Sequence, residues 1–167
     1  MKKLLFASAL LAVISFQSSC APNQASPRAY AESKDVKLNY GQPSKRDRVI
    51  FGQLVPYGEV WRAGANEATE ITFAKNATFG GRPIKAGSYT LFIRPEKDKW
   101  TIILNSQLKQ FGAFSYDKYK DKDVLAVDVP VKATGSVVEK LTYRFPSPDN
   151  LVIEWDNVQV SIPIKAS

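Results

Sequence analysis

Residues 151–164 read LVIEWDNVQVSIPI, and this stretch decides the fold class. Leu151, Ile153 and Trp155 are separated by single residues, and the β-branched residues from Val158 to Ile164 alternate with Gln, Ser and Pro. A period of two predicts strands with one buried and one solvent-exposed face, which is typical of antiparallel sheets. The pair Asp156-Asn157 is predicted to be the turn that joins two strands here.

The same pattern recurs upstream. Residues 125–131 read LAVDVPV, Gly80-Gly81 predicts a two-residue hairpin, and residues 95–98 (PEKD) separate two apolar runs. Residues 107–120 predict one short helical turn or an ordered loop. With about ten strands expected, the chain is predicted to be all-β. The predicted fold is an antiparallel β-sandwich of the jelly-roll or immunoglobulin-like kind, with a partly closed β-barrel as the alternative.

The first twenty residues predict export. Lys2 and Lys3 precede an apolar run at residues 4–16, which is shorter than the roughly 20 residues that a membrane-spanning helix needs. This segment resembles a bacterial lipoprotein signal, in which residues 1–19 are removed and Cys20 is acylated. The alternative is ordinary cleavage, for which residues 29–31 (Ala-Tyr-Ala) have the required small-x-small form.

Composition excludes several classes of chemistry. The 167 residues contain no histidine, and their single cysteine is Cys20, so Ser-His-Asp and Cys-His catalysis are impossible. No phosphate-binding glycine motif is present. We therefore predict neither a metal nor a cofactor. The basic residues that give the net charge of +7 are interspersed with acidic residues. Nucleic-acid binding is not expected of an exported protein.

The most unusual polar stretch is PYGEVWRAGANE at residues 56–67. Trp61, Arg62, Asn66 and Glu67 are candidate ligand-binding residues, because small residues between them let the backbone approach a ligand. In one interpretation Trp61 is the stacking floor of a polar pocket. In the other, Trp61 is a core residue and Arg62 forms an ion pair with Glu67 that ties the loop down.

A second cationic stretch reads SKRDR at residues 44–48. Arg48, together with Lys45 and Arg46, is a candidate anion-binding rim, because the planar guanidinium fork suits carboxylate and phosphate groups. The alternative interpretation is a solvated turn in which an arginine pairs with a neighbouring acid.

Three motifs connect the chain to a known family. They are YxxP at residues 40–43, FGxLVPYGxVWRxGANE at residues 51–67 and AGxYxLF at residues 86–92. The chain resembles domain-of-unknown-function family 2911, whose members are exported envelope proteins common in Bacteroidota. The resemblance implies an envelope location and brings no reaction, ligand or catalytic residue with it.

The predicted organisation is a signal peptide (residues 1–19), a lipid-anchored flexible stalk (residues 20–34) and a single β domain (residues 35–167). Surface-exposed lipoproteins of Bacteroidota often carry acidic residues directly after the cysteine, and residues 21–26 contain none. We therefore predict an outer-membrane lipoprotein that faces the periplasm and is held by its anchor at Cys20.

The function expected from these features is that of a non-catalytic binding module in the cell envelope. It would take a small polar or glycan ligand, or an envelope protein partner. One alternative is a carboxylate-dependent carbohydrate-active enzyme, with Glu59 and Glu67 as acid and base, which requires two carboxyl groups on one cleft. The other alternative is a purely structural or assembly protein.

Overall fold

The computed structural model describes residues 26–166, which form two antiparallel sheets that pack into a sandwich. One sheet has six strands in the order β1-β2-β3-β6-β7-β8, and the other has four in the order β5-β4-β10-β9. The sheets do not close into a barrel, so the predicted β-sandwich is confirmed and the barrel alternative is not. The strands are β1 (Arg28–Glu32), β2 (Val36–Gly41), β3 (Thr69–Phe73), β4 (Ala77–Phe79), β5 (Arg82–Ile84), β6 (Gly87–Pro95), β7 (Lys99–Asn105), β8 (Asp123–Pro130), β9 (Lys132–Ser147) and β10 (Asn150–Ala166).

Alternation and turn chemistry explain the hairpins. In β8, Leu125, Val127 and Val129 are buried while the residues between them are exposed. Gly80 and Gly81 have φ angles of 58° and 81°, which glycine adopts without steric cost, and they connect β4 to β5 as predicted. Between β7 and β8 the chain forms one short helix, α1 (Tyr116–Tyr119), followed by a single 3₁₀ turn. This confirms the short helical turn predicted for residues 107–120.

The turn predicted at Asp156-Asn157 is wrong. β10 runs unbroken through it, and β9 and β10 are joined instead by the turn that precedes Asn150. Asp156 has a φ of 55°, and the register with β9 shifts on both sides of it, so this residue forms a β-bulge. The odd spacing between Trp155 and Val158 requires either a turn or a bulge, since only these restore the alternation.

The predicted stalk is also wrong for part of its length. Residues 28–32 form β1, an edge strand whose Arg28 lies opposite Gly41 of β2. Ala29 and Ala31 pack against the core while Tyr30 is exposed, so two small methyl groups cover this end of the sandwich. The alternative cleavage sequence at residues 29–31 lies inside this strand. The predicted signal peptide and Cys20 lie outside the described residues.

The main core lies between the sheets and includes all three tryptophans. Trp61 and Trp155 stack with ring centroids 5.9 Å apart, and Phe51 lies 5.0 Å from Trp100. A smaller cluster, which contains Phe92, Ile103 and Tyr116, covers the opposite face of the six-stranded sheet. Within residues 26–166 no helix is long and apolar enough to cross a membrane.

Candidate functional site

Backbone hydrogen bonds attach the signature loop, residues 61–67, to strands β6 and β2. The Trp61 and Ile93 backbones exchange two bonds, of 2.7 and 2.9 Å. The Ala65 N–H donates to the Gly41 carbonyl oxygen at 3.1 Å. A Cβ atom at Gly41 would lie 2.0 Å from the Ala65 carbonyl oxygen, so only glycine allows this approach.

Buried hydroxyl groups hold the middle of the loop. The Ala63 carbonyl oxygen accepts bonds from the Tyr143 hydroxyl at 2.6 Å and from the Thr69 hydroxyl at 2.8 Å. Ala63 and Asn66 both have positive φ, at 56° and 64°. The hydrogen bonds hold the loop backbone in a conformation that would be unfavourable on its own. Strained backbone of this kind persists where the surrounding contacts fix it in place. The signature loop is therefore a preorganised surface.

Trp61 is a core residue. Its side chain is 8 % exposed, one of its faces stacks on Trp155, and its Nε1–H donates to the Gly64 carbonyl oxygen at 3.3 Å. A sugar-stacking platform needs an open ring face, which Trp61 lacks. Of the two interpretations of Trp61, the core interpretation fits the structure.

The predicted ion pair between Arg62 and Glu67 does not form. Glu67 instead pairs with Arg28 of β1, with 3.4 Å between Oε2 and Nη1. The Arg62 Nε atom is buried and has no hydrogen-bond partner. Burial lowers the pKa of the Arg62 guanidinium below its usual value. Among residues 26–166, no other buried side-chain nitrogen or oxygen lacks a partner.

Arg62 lies in a depression of about 270 Å³, which we call the Arg62 depression. Four of the five predicted ligand-binding residues line it, because the signature loop lies beside the turn that carries Arg48. No acidic residue lines it. The residues that line the Arg62 depression are Ser26, Pro43, Arg48, Leu54, Val55, Trp61, Arg62, Gly64, Ala65, Asn66 and Trp155.

Arg48 is exposed and held in place by backbone carbonyls. Its Nε–H donates to the Lys45 carbonyl oxygen at 3.1 Å, and its Nη2 group donates to the Ser44 carbonyl oxygen at 2.5 Å. In the same stretch, the Lys45 Nζ atom lies 3.5 Å from the Asp156 Oδ2 atom and forms an ion pair with it. Within residues 26–166, Arg48 forms no ion pair with a carboxylate.

Glu67, the fifth predicted residue, lines a separate open depression of about 720 Å³ with Arg28, Lys109 and Phe111. Glu59 lines a third, of about 530 Å³, with Arg94. The two carboxylates proposed as acid and base therefore do not share a depression. Residues 26–166 also contain no cluster of three or more His, Cys, Asp or Glu that could hold a metal.

Sequence reasoning missed Ser26 and Arg28 as site residues, because both fell in the predicted stalk. Ser26 lines both the Arg62 depression and the depression of Glu67, and Arg28 pairs with Glu67. The alternation in residues 28–32 (RAYAE) is the signal that could have placed a strand there.

The fold and the site together define a β-sandwich protein with a rigid loop beside a cationic depression. The family described as "Protein of unknown function (DUF2911)" matches residues 22–164, and the chain belongs to this family. No curated protein and no solved structure matches the chain.

Proposed function

We propose that this protein is an envelope lipoprotein whose β-sandwich is a non-catalytic binding module for a small anionic ligand in the Arg62 depression. One observation carries the proposal. The buried Nε atom of Arg62 has no hydrogen-bond partner, and Arg62 lines a depression that no acid lines. A ligand carboxylate or phosphate is the group that would complete this environment.

Leaving a buried donor unpaired costs about 1–3 kcal/mol, and more where the donor is charged. An anion that bonds to Arg62 would recover this cost on binding. Arg48 adds a second guanidinium, and two planar forks favour carboxylate and phosphate over neutral groups. Leu54, Val55 and Trp155 supply apolar walls, so the ligand would present one charged end and a small apolar or sugar body.

The signal-like residues 1–20 support the proposed envelope location. Cys20 would carry acyl chains, and each buried CH₂ group contributes about 0.8 kcal/mol to membrane binding. With two or more chains the protein would stay on the membrane. The absence of acids at residues 21–26 supports a periplasm-facing position on the outer membrane.

Replacing Arg62 by methionine should separate binding from stability. We expect Arg62→Met to remain folded, with an unfolding free energy equal to the parent's or about 1 kcal/mol higher, because an unpaired buried donor is removed. Binding of acetate, succinate, glucuronate or inorganic phosphate should weaken at least tenfold. The measurement is a titration followed by backbone amide NMR, in which the signals of residues 61–67 should shift at anion concentrations at least tenfold lower in the parent than in Arg62→Met.

The matched control is Arg144→Met, which removes an arginine that already pairs with Glu154 at 3.0 Å. This variant should bind the same anions as the parent does. Equal anion-induced shifts in the parent and in Arg62→Met would contradict the proposal, as would the absence of shifts with all four anions.

Lipidation is tested on the full chain in a bacterial host that acylates exported cysteines. We expect labelled palmitate to appear on the parent and to be absent from Cys20→Ala, because residues 26–166 contain no cysteine that could take its place. A parent chain that matures without label, after cleavage near residues 29–31, would contradict the anchor.

A further inference from the structure

The loop between β7 and β8 exposes two aromatic rings. Phe111 is 56 % exposed and Phe114 is 79 % exposed, and their ring centroids lie 6.3 Å apart. We call residues 107–122 the aromatic loop. Two adjacent phenylalanines in water cost hydrophobic free energy, so an exposed pair of this kind marks a contact surface.

The aromatic loop is ordered before any contact is made. The Gly112 N–H donates to the Asn66 carbonyl oxygen at 3.1 Å, and the Ser115 hydroxyl bonds to Gln110 Oε1 at 3.1 Å. The Tyr116 hydroxyl donates to an Asp123 carboxylate oxygen at 2.6 Å. Binding through this loop would therefore carry little ordering cost.

Charged side chains of both signs lie beside the two rings. Lys109 lines the same depression as Phe111, together with Glu67 and Glu70. Lys120 lines the same depression as Phe114, together with Glu59 and Asp117. The excess of positive charge comes from the aromatic loop itself. Residues 107–122 contain four lysines against Asp117 and Asp121, and Asp121 pairs with Lys122 at 3.4 Å. Apolar rings with lysines beside them are the composition expected where a protein meets an anionic lipid headgroup region.

The distance along the chain limits how far a lipid anchor at Cys20 could lie from this loop. Ser26 lines the same depression as Phe111 and Lys109. Ser26 lies six positions after Cys20, and six fully extended residues span at most about 22 Å. An acylated Cys20 would therefore hold this end of the sandwich close to the bilayer.

We propose that the aromatic loop is a membrane-contacting surface, in which Phe111 and Phe114 insert into the headgroup region and the lysines meet anionic phospholipid. A short tether to the acyl chains would keep the aromatic loop close to the bilayer and so favour its insertion. To that extent the inference rests on the proposed anchor at Cys20. The loop would set the orientation of the domain while the acyl chains set its residence on the membrane.

The test uses residues 21–167 without acyl chains, because the main core lies within residues 36–164. Co-sedimentation is measured with vesicles of phosphatidylglycerol and, separately, of phosphatidylcholine. We expect binding to phosphatidylglycerol, weaker binding to phosphatidylcholine, and a loss of about tenfold for each of Phe111→Ser and Phe114→Ser, equivalent to about 1.4 kcal/mol each. Lys109→Glu should weaken binding to phosphatidylglycerol and reduce its salt dependence.

The matched control is Val137→Ser on β9 in the other sheet, since Val137 is 59 % exposed. This variant should bind like the parent. A second measurement uses the lack of other cysteines in residues 21–167. A polarity-sensitive fluorophore on Phe114→Cys should report an apolar environment with phosphatidylglycerol vesicles, whereas the same fluorophore on Val137→Cys should not.

The outcomes separate the loop from the anchor. Absence of binding to phosphatidylglycerol, or equal binding by the parent and the double Phe111→Ser, Phe114→Ser variant, would overturn the loop proposal even if Cys20 is palmitoylated. Loop-dependent binding would support it even if Cys20 is not labelled. Self-association through these phenylalanines without any binding to vesicles would also overturn it.

Discussion

Gly41→Ala is expected to destabilise the protein by about 3 kcal/mol, at the upper end of the usual cost of overpacking. The new Cβ atom would lie 2.0 Å from the carbonyl oxygen of Ala65 and 2.8 Å from its carbonyl carbon. Both are backbone atoms, so no side chain can rotate away, and the signature loop must move. The measurement is urea unfolding followed by the fluorescence of the three buried tryptophans.

Gly135→Ala is the control. Gly135 lies in β9 with open space around its Cβ position, so alanine there should be neutral or stabilise by about 0.5 kcal/mol. Ala65 lies three positions after Arg62 in the signature loop, so a shift of Ala65 should also displace Arg62. Folded Gly41→Ala protein should therefore bind the test anions less tightly. A Gly41→Ala variant within 1 kcal/mol of the parent would show that the loop gives way easily and is not preorganised.

Alkaline pH is expected to unfold the protein steeply. Burial raises the pKa values of Tyr40, Tyr116 and Tyr143 above the value of about 10 that they have in the unfolded chain. Each stays protonated longer when folded, so its stabilising effect is complete below pH 10 and is lost as pH rises toward its folded pKa. Between its unfolded and its folded pKa, each tyrosine contributes a slope of at most about 1.4 kcal/mol per pH unit.

Stability from about pH 6 to 8 should be nearly constant, since the chain has no histidine. Urea unfolding at a series of pH values measures both ranges. Tyr143→Phe should reduce the alkaline slope by up to about 1.4 kcal/mol per pH unit. It should also cost about 1 kcal/mol at neutral pH, because its bond to Ala63 is lost. Tyr30→Phe, at a ring that is 75 % exposed, is the control. An unchanged slope in Tyr143→Phe would contradict the account.

The fold class could be predicted because alternation is a local property. Residues 125–131 and the glycine pair at 80–81 determine a strand and a hairpin without help from the rest of the chain. The three-residue step from Trp155 to Val158 is different, since a turn and a bulge both satisfy it. Pairing with β9 decides for the bulge, and that information is not local.

The candidate site could be predicted in part. The residue types in the signature loop pointed to Arg62 and Asn66, and the fold brings Arg48 beside them. The partner of Glu67 could not be predicted, because it is Arg28 on an edge strand 39 positions away. Trp61 shows the same limit, since an indole serves equally well as core or as platform until its neighbours are known.

The edge strand β1 has a mechanical consequence. Tension between the proposed anchor at Cys20 and the domain would enter the fold at Ser26, and antiparallel pairing would direct it to Arg28 and Gly41 first. The bonds loaded first are those of Pro27 with Gln42 and of Arg28 with Glu67. β1 would separate from β2 one residue pair at a time, starting at the end that adjoins the signature loop. A pulling force would therefore loosen the proposed ligand site before it disrupted the tryptophan core.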